Sequence, residues 1–223
     1  MADRLKQTQR VRFSHERIYQ YLRADRLAGG NWHAQLRRRL GLRRARRSTA
    51  YKGKITQRVS IDQRPSIVVD KSRIGAWEAD LMLGGQGGGA LLTVVERKSR
   101  WTCMARLSSK QSEVVAEALI NLLRPYKKQV KTVTLDNGNE FAQHVNVSKA
   151  LQASVYFAHP YCAWQRGLSE NTNGLLRQYF PKGTNFKIIR QAKLDQIQKR
   201  LNQRPRKGLE FLTPQQIFQP ERS

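Results

Sequence analysis

The sequence has only two cysteines, Cys103 and Cys162, and they show no CxxC or Cys/His spacing. This absence excludes a disulfide framework and a structural zinc site, and it is consistent with a reducing compartment. No apolar run reaches the roughly 18–20 residues that span a membrane. The first residues, MADRLK, lack the apolar stretch of a signal peptide. We therefore expect a soluble, intracellular protein.

Acidic residues are scarce: 16 Asp and Glu stand against 42 Lys and Arg in 223 residues, a formal charge of +26. Such a charge repels itself in a compact state unless an anionic partner neutralises it, and nucleic acid is the partner we expect. Residues 1–70 hold 18 of the basic and five of the acidic residues. We therefore divide the chain into a basic N-terminal arm, 1–70, and a folded region, 71–223.

The arm is predicted to contain one short helix. Ser14 is a typical helix N-cap before an apolar pattern in residues 18–22, and Gly29 and Gly30 close the segment. The chain then becomes too basic and too polar to pack alone, so we expect residues 42–70 to be an extended linker. The arginines expected to contact DNA are Arg37, Arg38, Arg39, Arg43, Arg44, Arg46 and Arg47.

Short apolar runs after residue 76 predict an α/β fold with a mixed sheet. The first three runs are separated by the glycine-rich residues 84–89 and by a turn at 99–100, which favours an antiparallel meander. A crossover helix then returns the chain to a fourth strand parallel to the first. The expected strands are 77–83, 90–96, 101–107, 130–136 and 153–157. The first expected helix is capped by Ser109 or Ser112 and ends before Pro125. Further helices are expected over 140–152, 169–179 and 193–202, with a last turn at 213–218.

Three carboxylates are placed at strand ends or at a helix start in this basic chain. Asp80 lies in the first strand, Asp136 ends the fourth, and Glu170 opens the helix after the fifth. If the first and fourth strands are parallel neighbours, the two aspartates lie side by side and the helix can bring Glu170 beside them. Their mutual repulsion favours a bound divalent cation, and an all-oxygen ligand set suits Mg²⁺ or Mn²⁺.

The residues alone leave alternatives open. An Asp at a strand end is more often a turn residue than a ligand, and Asp136 begins an Asp-Asn-Gly turn signal. Glu78 lies two residues before Asp80 on the same strand face, so alternation does not separate them. Glu140 is expected to be an ordinary carboxylate in the first turn of a helix.

Five segments resemble blocks of one known family. Residues 159–184, HPYCAWQRGLSENTNGLLRQYFPKGT, resemble the signature of the insertion-sequence-thirty family of bacterial DDE transposases. The resemblance spans about residues 12–220. The shorter matching blocks are WEADL at 77–81, TLDNGNE at 134–140, NQRPRKGL at 202–209 followed by TP at 213–214, and the lead-in SIDQRP at 60–65.

The resemblance implies a ribonuclease H-like, retroviral-integrase-like catalytic core with a five-stranded mixed sheet flanked by helices. It assigns Asp80, Asp136 and Glu170, rather than Glu78, as the catalytic metal ligands. It further implies two Mg²⁺ or Mn²⁺ ions and metal-dependent DNA cleavage and strand transfer at the ends of an insertion element. The implied partners are terminal inverted repeats, target DNA and further copies of the chain, in the bacterial cytoplasm on the nucleoid.

Two features depart from that family's pattern. Cys162 and Ala163 stand where the family has Ser-Pro. Family members are also longer at the N-terminus, where residues 13–22 here look like one recognition helix of a helix-turn-helix motif without its partner helices. The alternative expectation is therefore a truncated, non-catalytic DNA-binding remnant or an inhibitor of an intact transposase. A structure-specific nuclease on the same fold is a further alternative.

Residues near the proposed site are expected to contact DNA. Their cations can neutralise phosphates or belong to a generic charged surface. Trp164 can stack on a base or anchor its loop, and the two amides can position the DNA backbone. The candidates are Trp164, Gln165, Arg166, Asn173, Arg177, Lys182 and Lys187.

Overall fold

A computed structural model of the chain describes residues 14–35, 55–160 and 162–219. The chain divides into two compact units, Met1–Thr49 and Ala50–Ser223, and the second contains the sheet. Within the described ranges, no helix is both long enough and apolar enough to cross a membrane. The arginines of residues 37–47, predicted to bind DNA, lie outside the described residues.

The described part of the first unit is built around helix α1, His15–Leu27. The Ser14 side chain accepts a hydrogen bond from the Arg17 N–H at 3.2 Å, which confirms the predicted N-cap. Gly29 follows the helix in a left-handed conformation, with φ of +84°. A 3₁₀ turn, Trp32–Gln35, comes next.

The second unit contains a five-stranded mixed sheet in the order β3-β2-β1-β4-β5. Strands β1, β2 and β3 form the predicted antiparallel meander, while β4 and β5 run parallel to β1. The glycine-rich segment closes the β1–β2 hairpin, where the Gly84 N–H donates to the Gly89 carbonyl at 3.0 Å. The strands are β1 Ala76–Leu83, β2 Ala90–Glu96, β3 Thr102–Leu107, β4 Thr132–Leu135 and β5 Ser154–Phe157.

Six helices of this unit are α2 Ser66–Val69, α3 Ser112–Leu123, α4 His144–Leu151, α5 Gly167–Leu176, α6 Gln191–Asn202 and α7 Pro214–Phe218. Helix α3 has Gln111 as its N-cap without a side-chain hydrogen bond, so the prediction that Ser109 or Ser112 caps it is wrong. The helix predicted over 140–152 is divided into a 3₁₀ turn, Asn139–Phe141, and α4. Helices α5 and α6 each begin two residues earlier than predicted.

Alternation along β1 distributes its side chains between two cores. Trp77 and Ala79 belong to the core that also holds residues of α3 and α4, whereas Met82 belongs to the core with residues of α5 and α6. Glu78 and Asp80 share the parity of Met82 and therefore face α5 and α6. One strand face thus presents two carboxylates to the helix that carries Glu170.

Residues 55–69 pack on the sheet, so the prediction of an extended linker is wrong for this segment. The Phe157 N–H donates to the Val59 carbonyl at 2.9 Å, and Ser60 pairs with Phe157 in parallel beside the edge strand β5. Ile61 and Val68 are buried. These two buried side chains show that part of the predicted linker belongs to the folded region.

Candidate active site

Asp80 lies in the second half of β1, where the β1–β4 pairing has already ended. Its Oδ2 accepts a hydrogen bond from the Asn173 side-chain amide at 2.9 Å, and its Oδ1 accepts the Leu81 N–H at 3.0 Å. The side-chain Oδ1 of Asn173 in turn accepts a hydrogen bond from the Thr93 hydroxyl at 3.0 Å. Helix α5 and strand β2 therefore fix the direction of the Asp80 carboxylate.

Asp136 follows the last residue of β4. Because β1 and β4 are parallel neighbours, paired at Glu78 and Thr134, the chain delivers Asp136 to the same edge of the sheet as Asp80. The Gly138 N–H donates to Asp136 Oδ1 at 2.9 Å, a side-chain turn that leaves Oδ2 free for another partner. The turn at Asp136 is therefore compatible with a role for its carboxylate in a candidate site.

Arg166 joins the two aspartates. Its Nη1 lies 3.1 Å from Asp80 Oδ1 and its Nη2 lies 3.6 Å from Asp136 Oδ2. The exposed fractions are 12% for the Arg166 side chain, 18% for Asp80 and 27% for Asp136. A single cation thus lies between two carboxylates at a site that water reaches.

Burial raises the pKa of Asp80 above its usual value, and Asp136 raises it further. Arg166 acts in the opposite direction through its charge and a hydrogen bond, without reversing the shift. The ionised form of Asp80 is therefore costly, and a cation at the site favours it.

Glu170 does not join the two aspartates. Its residue is exposed, in the first turn of α5. Across the described ranges, no three His, Cys, Asp or Glu side chains are close enough together to hold one metal ion. Glu170 precedes Asn173 by three residues, so the two share a helix face, and Asn173 contacts Asp80. Glu170 is therefore one helical turn away from the residue that contacts Asp80.

Glu78 has a different environment from Asp80. It is fully buried, and its two oxygens accept hydrogen bonds from Arg97 Nη1 and, at 3.0 Å, from the Ser169 N–H. No oxygen of Glu78 faces solvent. The geometry therefore favours Asp80 over Glu78 as a ligand, in agreement with the resemblance.

Comparison with known proteins gives a consistent result. Residues 70–163 match the integrase core domain. The chain is 42% identical over 207 residues to the transposase for insertion sequence element IS4351 of Bacteroides fragilis. It is 38% identical over 217 residues to the transposase InsI for insertion sequence element IS30A of Escherichia coli (strain K12). The chain is thus similar in sequence to transposases of the IS30 family.

These alignments cover 92% and 94% of this chain but only 63% and 56% of the two transposases, respectively. The chain therefore spans little more than half the length of these IS30-family relatives. A chain in the structure of a simian T-cell lymphotropic virus intasome in complex with PP2A regulatory subunit B56 gamma has a similar fold. Its TM-score is 0.55 at 19% identity, over 67% of this chain and 56% of that one. The predicted ribonuclease H-like, retroviral-integrase-like core is thus confirmed.

Glu140 is a further carboxylate near the two aspartates that was not predicted to take part in the site. It lies in the first turn of a 3₁₀ helix, as expected, and burial raises its pKa. The charges of Asp136 and Asp80 raise that pKa further, while Lys110 lowers it. Glu140 therefore contributes to the negative potential at the aspartates. The signal in the sequence that could have placed Glu140 near the site is that it follows Asp136 by only four residues.

The other predicted DNA contacts divide into exposed and engaged residues. Trp164 is 75% exposed, and Lys182 and Lys187 are also exposed. Gln165 instead bonds to His159 twice, through the His159 N–H at 2.7 Å and the ring Nδ1 at 3.0 Å. Arg177 donates to backbone carbonyls of its own turn and of β1. Gln165 and Arg177 therefore hold the local backbone, and Asn173 holds Asp80.

The donor set at Asp80 and Asp136 fits a divalent cation. Both groups are carboxylates, the ligand type that Mg²⁺ and Mn²⁺ prefer, and both already share one positive group. In this structure the Arg166 guanidinium supplies the positive charge between them. Glu170 does not add a third carboxylate in this arrangement of the described residues.

Proposed function

We propose that this chain is a metal-dependent transposase in which Asp80, Asp136 and Glu170 hold the metal ions. The reaction is cleavage of DNA at the ends of a bacterial insertion element, followed by joining of those ends to target DNA. The observation that carries the proposal is a pair of carboxylates, one in β1 just beyond its pairing with β4 and one directly after β4, bridged by one arginine in a basic chain.

The residues around the pair support this assignment. Asn173 and the Gly138 N–H orient the two carboxylates, so that one oxygen of each points to the shared cation. Glu170 approaches from α5, whose face already reaches Asp80 through Asn173. Divalent cations bound there supply activation of the attacking oxygen and stabilisation of the leaving oxygen.

Arg166 has to move when a metal ion takes its place between the aspartates. A DNA phosphate is the natural acceptor for the released guanidinium, because arginine pairs with phosphate through two parallel hydrogen bonds. We therefore assign Arg166 to DNA binding, together with the exposed Trp164 and Lys182. Transposition also requires two DNA ends to be brought together, which supports a homo-multimer on DNA.

The decisive experiment combines the purified chain with Mg²⁺ or Mn²⁺ and a duplex that ends in the inverted repeat flanking its gene. We expect single-strand nicks at the repeat end and, with target DNA present, joined products. Asp136→Asn should abolish both while leaving DNA binding intact, because binding depends on basic residues elsewhere. Asp195→Asn, at an exposed site on α6, is the matched control and should nick like the wild type.

The other outcomes separate the alternatives. Binding without nicking in either metal supports a non-catalytic remnant or an inhibitor of an intact transposase. Nicking without joined products supports a structure-specific nuclease. Equal nicking by the wild type and Asp136→Asn contradicts the proposed site.

DNA binding itself should depend steeply on salt. Each phosphate neutralised by a Lys or Arg contributes a slope of about −0.9 to the plot of log affinity against log salt. A slope near zero would contradict a phosphate-binding role for the excess of basic residues.

A further inference from the structure

Helix α5 begins without a cap of its own. Its N-cap residue, Arg166, makes no side-chain capping hydrogen bond, and its side chain extends to the aspartates instead. The first N–H groups of a helix have no partner within the helix and need an acceptor from elsewhere. The Ser169 residue in this first turn is fully buried, so water is no substitute.

Glu78 supplies the acceptor from strand β1, on the sheet face that α5 covers. Its Oε2 accepts the Ser169 N–H at 3.0 Å, and its Oε1 accepts Arg97 Nη1. Arg97 is fixed as well, because its Nε donates to the Val68 carbonyl at 3.1 Å. Negative charge at a helix N-terminus is also favoured by the helix dipole. Glu78, on strand β1, therefore caps the N-terminus of α5.

A second link joins the same strand to the same helix. Asn173, four residues after Ser169, donates to Asp80, two residues after Glu78. Glu170 lies between the two attachment points along the helix. Strand β1 thus carries one carboxylate of the site and also fixes the position of the helix that carries another.

We propose that Glu78 is a positioning residue for the reaction. Its carboxylate holds the first turn of α5 so that Glu170 is at the right height to reach a metal ion bound by Asp80. This inference rests on the proposed function, and Glu78 itself touches neither metal nor DNA. A displacement of about 1 Å at a reacting group can cost on the order of 10²-fold in rate, so loss of the cap is expected to act on kcat.

The test compares two double variants that differ in one property. Glu78→Gln with Arg97→Met and Glu78→Met with Arg97→Met both remove the buried ion pair and its charges. Gln and Met have similar length, but only Gln offers an oxygen to the Ser169 N–H. The comparison therefore isolates the cap from the ion pair.

We expect the Gln variant to have a kcat for nicking about 10- to 100-fold higher than that of the Met variant. The KM for DNA should agree within about twofold between them, because both substituted positions are buried. Circular dichroism and thermal unfolding confirm that both are folded. Equal kcat values in two folded variants would overturn the inference.

A measurement on the wild-type protein covers the case in which the Met variant does not fold. The Ser169 amide proton should exchange with solvent at least about 100-fold more slowly than an unprotected amide. Exchange at the unprotected rate would show that the cap does not form and would overturn the inference. Slow exchange in a wild type that fails to nick would instead contradict the proposed function and leave the cap standing.

Discussion

Two arginine–carboxylate pairs flank the start of α5, and water reaches them to different degrees. The first, which we call the closed pair, is Glu78 with Arg97, which are 0% and 7% exposed. The second oxygen of Glu78 accepts a hydrogen bond from a helix N–H. The second, which we call the open pair, is Arg166 with its two aspartate partners. Asp80 and Asp136 are 18% and 27% exposed. Arginine and carboxylate therefore fix the position of α5 in the closed pair. In the open pair, they form contacts in which either partner can be replaced.

The two pairs differ in whether another group can replace a lost partner. The closed pair has almost no solvent access, so removing either member leaves a buried charge without a partner. In the open pair, water, a metal ion or a phosphate can take the place of either member. The following predictions test this contrast.

The largest effect is expected at the open pair. Asp80→Asn should lower the nicking rate by at least about 10³-fold, because a carboxylate ligand contributes several kcal/mol of charge stabilisation. Gel-based nicking assays and DNA-binding titrations measure the two properties separately. A variant that binds and still nicks within tenfold of the wild type would break the contrast.

Stability should show the opposite order. Arg97→Ala leaves Glu78 buried and unpaired and should cost about 3–5 kcal/mol in the free energy of unfolding. Arg166→Ala should cost about half of that or less, because water reaches both aspartates once the guanidinium is gone. Urea titrations of the two variants provide the comparison, and equal losses would contradict it.

Metal affinity should rise when the open pair loses its arginine. Arg166→Gln removes the cation that competes for Asp80 and Asp136, so Mn²⁺ should bind about tenfold more tightly in the absence of DNA. Electron paramagnetic resonance of free Mn²⁺ measures this. Arg106→Gln, which loses the same charge from contacts with backbone carbonyls, is the control and should leave affinity unchanged. Equal affinity in all three proteins would mean that Arg166 does not compete.

The smallest effect concerns pH. Burial raises the pKa of Asp80 above its usual 3.8, so the folded state holds this proton more tightly than the unfolded state. Its contribution to the free energy of unfolding therefore falls as pH rises through that raised pKa. Asp80→Asn removes the contribution, so the variant should gain stability relative to the wild type as pH rises above 3.8. Urea titrations with a chelator present test this, and a constant difference would contradict it.

The sheet could be predicted because its signals are local. Alternation in β1, the β-branched run of β4 and the glycines of residues 84–89 each depend on neighbours in sequence. The side-by-side placement of Asp80 and Asp136 followed from the parallel pairing of those strands, which the structure contains.

The partners of the acids could not be predicted, because they come from distant positions. The Glu78 contact with Ser169 spans 91 residues, and nothing in alternation distinguishes a buried, capping glutamate from an exposed ligand. Arg166 was expected only to bind DNA, and its bridge to two strands depends on where α5 begins. The packing of residues 55–69 likewise depends on the edge of β5, which the local composition does not encode.

The central claim is that Asp80, Asp136 and Glu170 hold the metal ions that act on DNA. Anomalous diffraction from crystals of the DNA complex grown with Mn²⁺ tests it most directly. We predict a peak within coordination distance of carboxylate oxygens from all three residues, with Arg166 moved onto a phosphate. A peak that excludes Glu170, or no peak between the two aspartates at saturating Mn²⁺, would contradict the account.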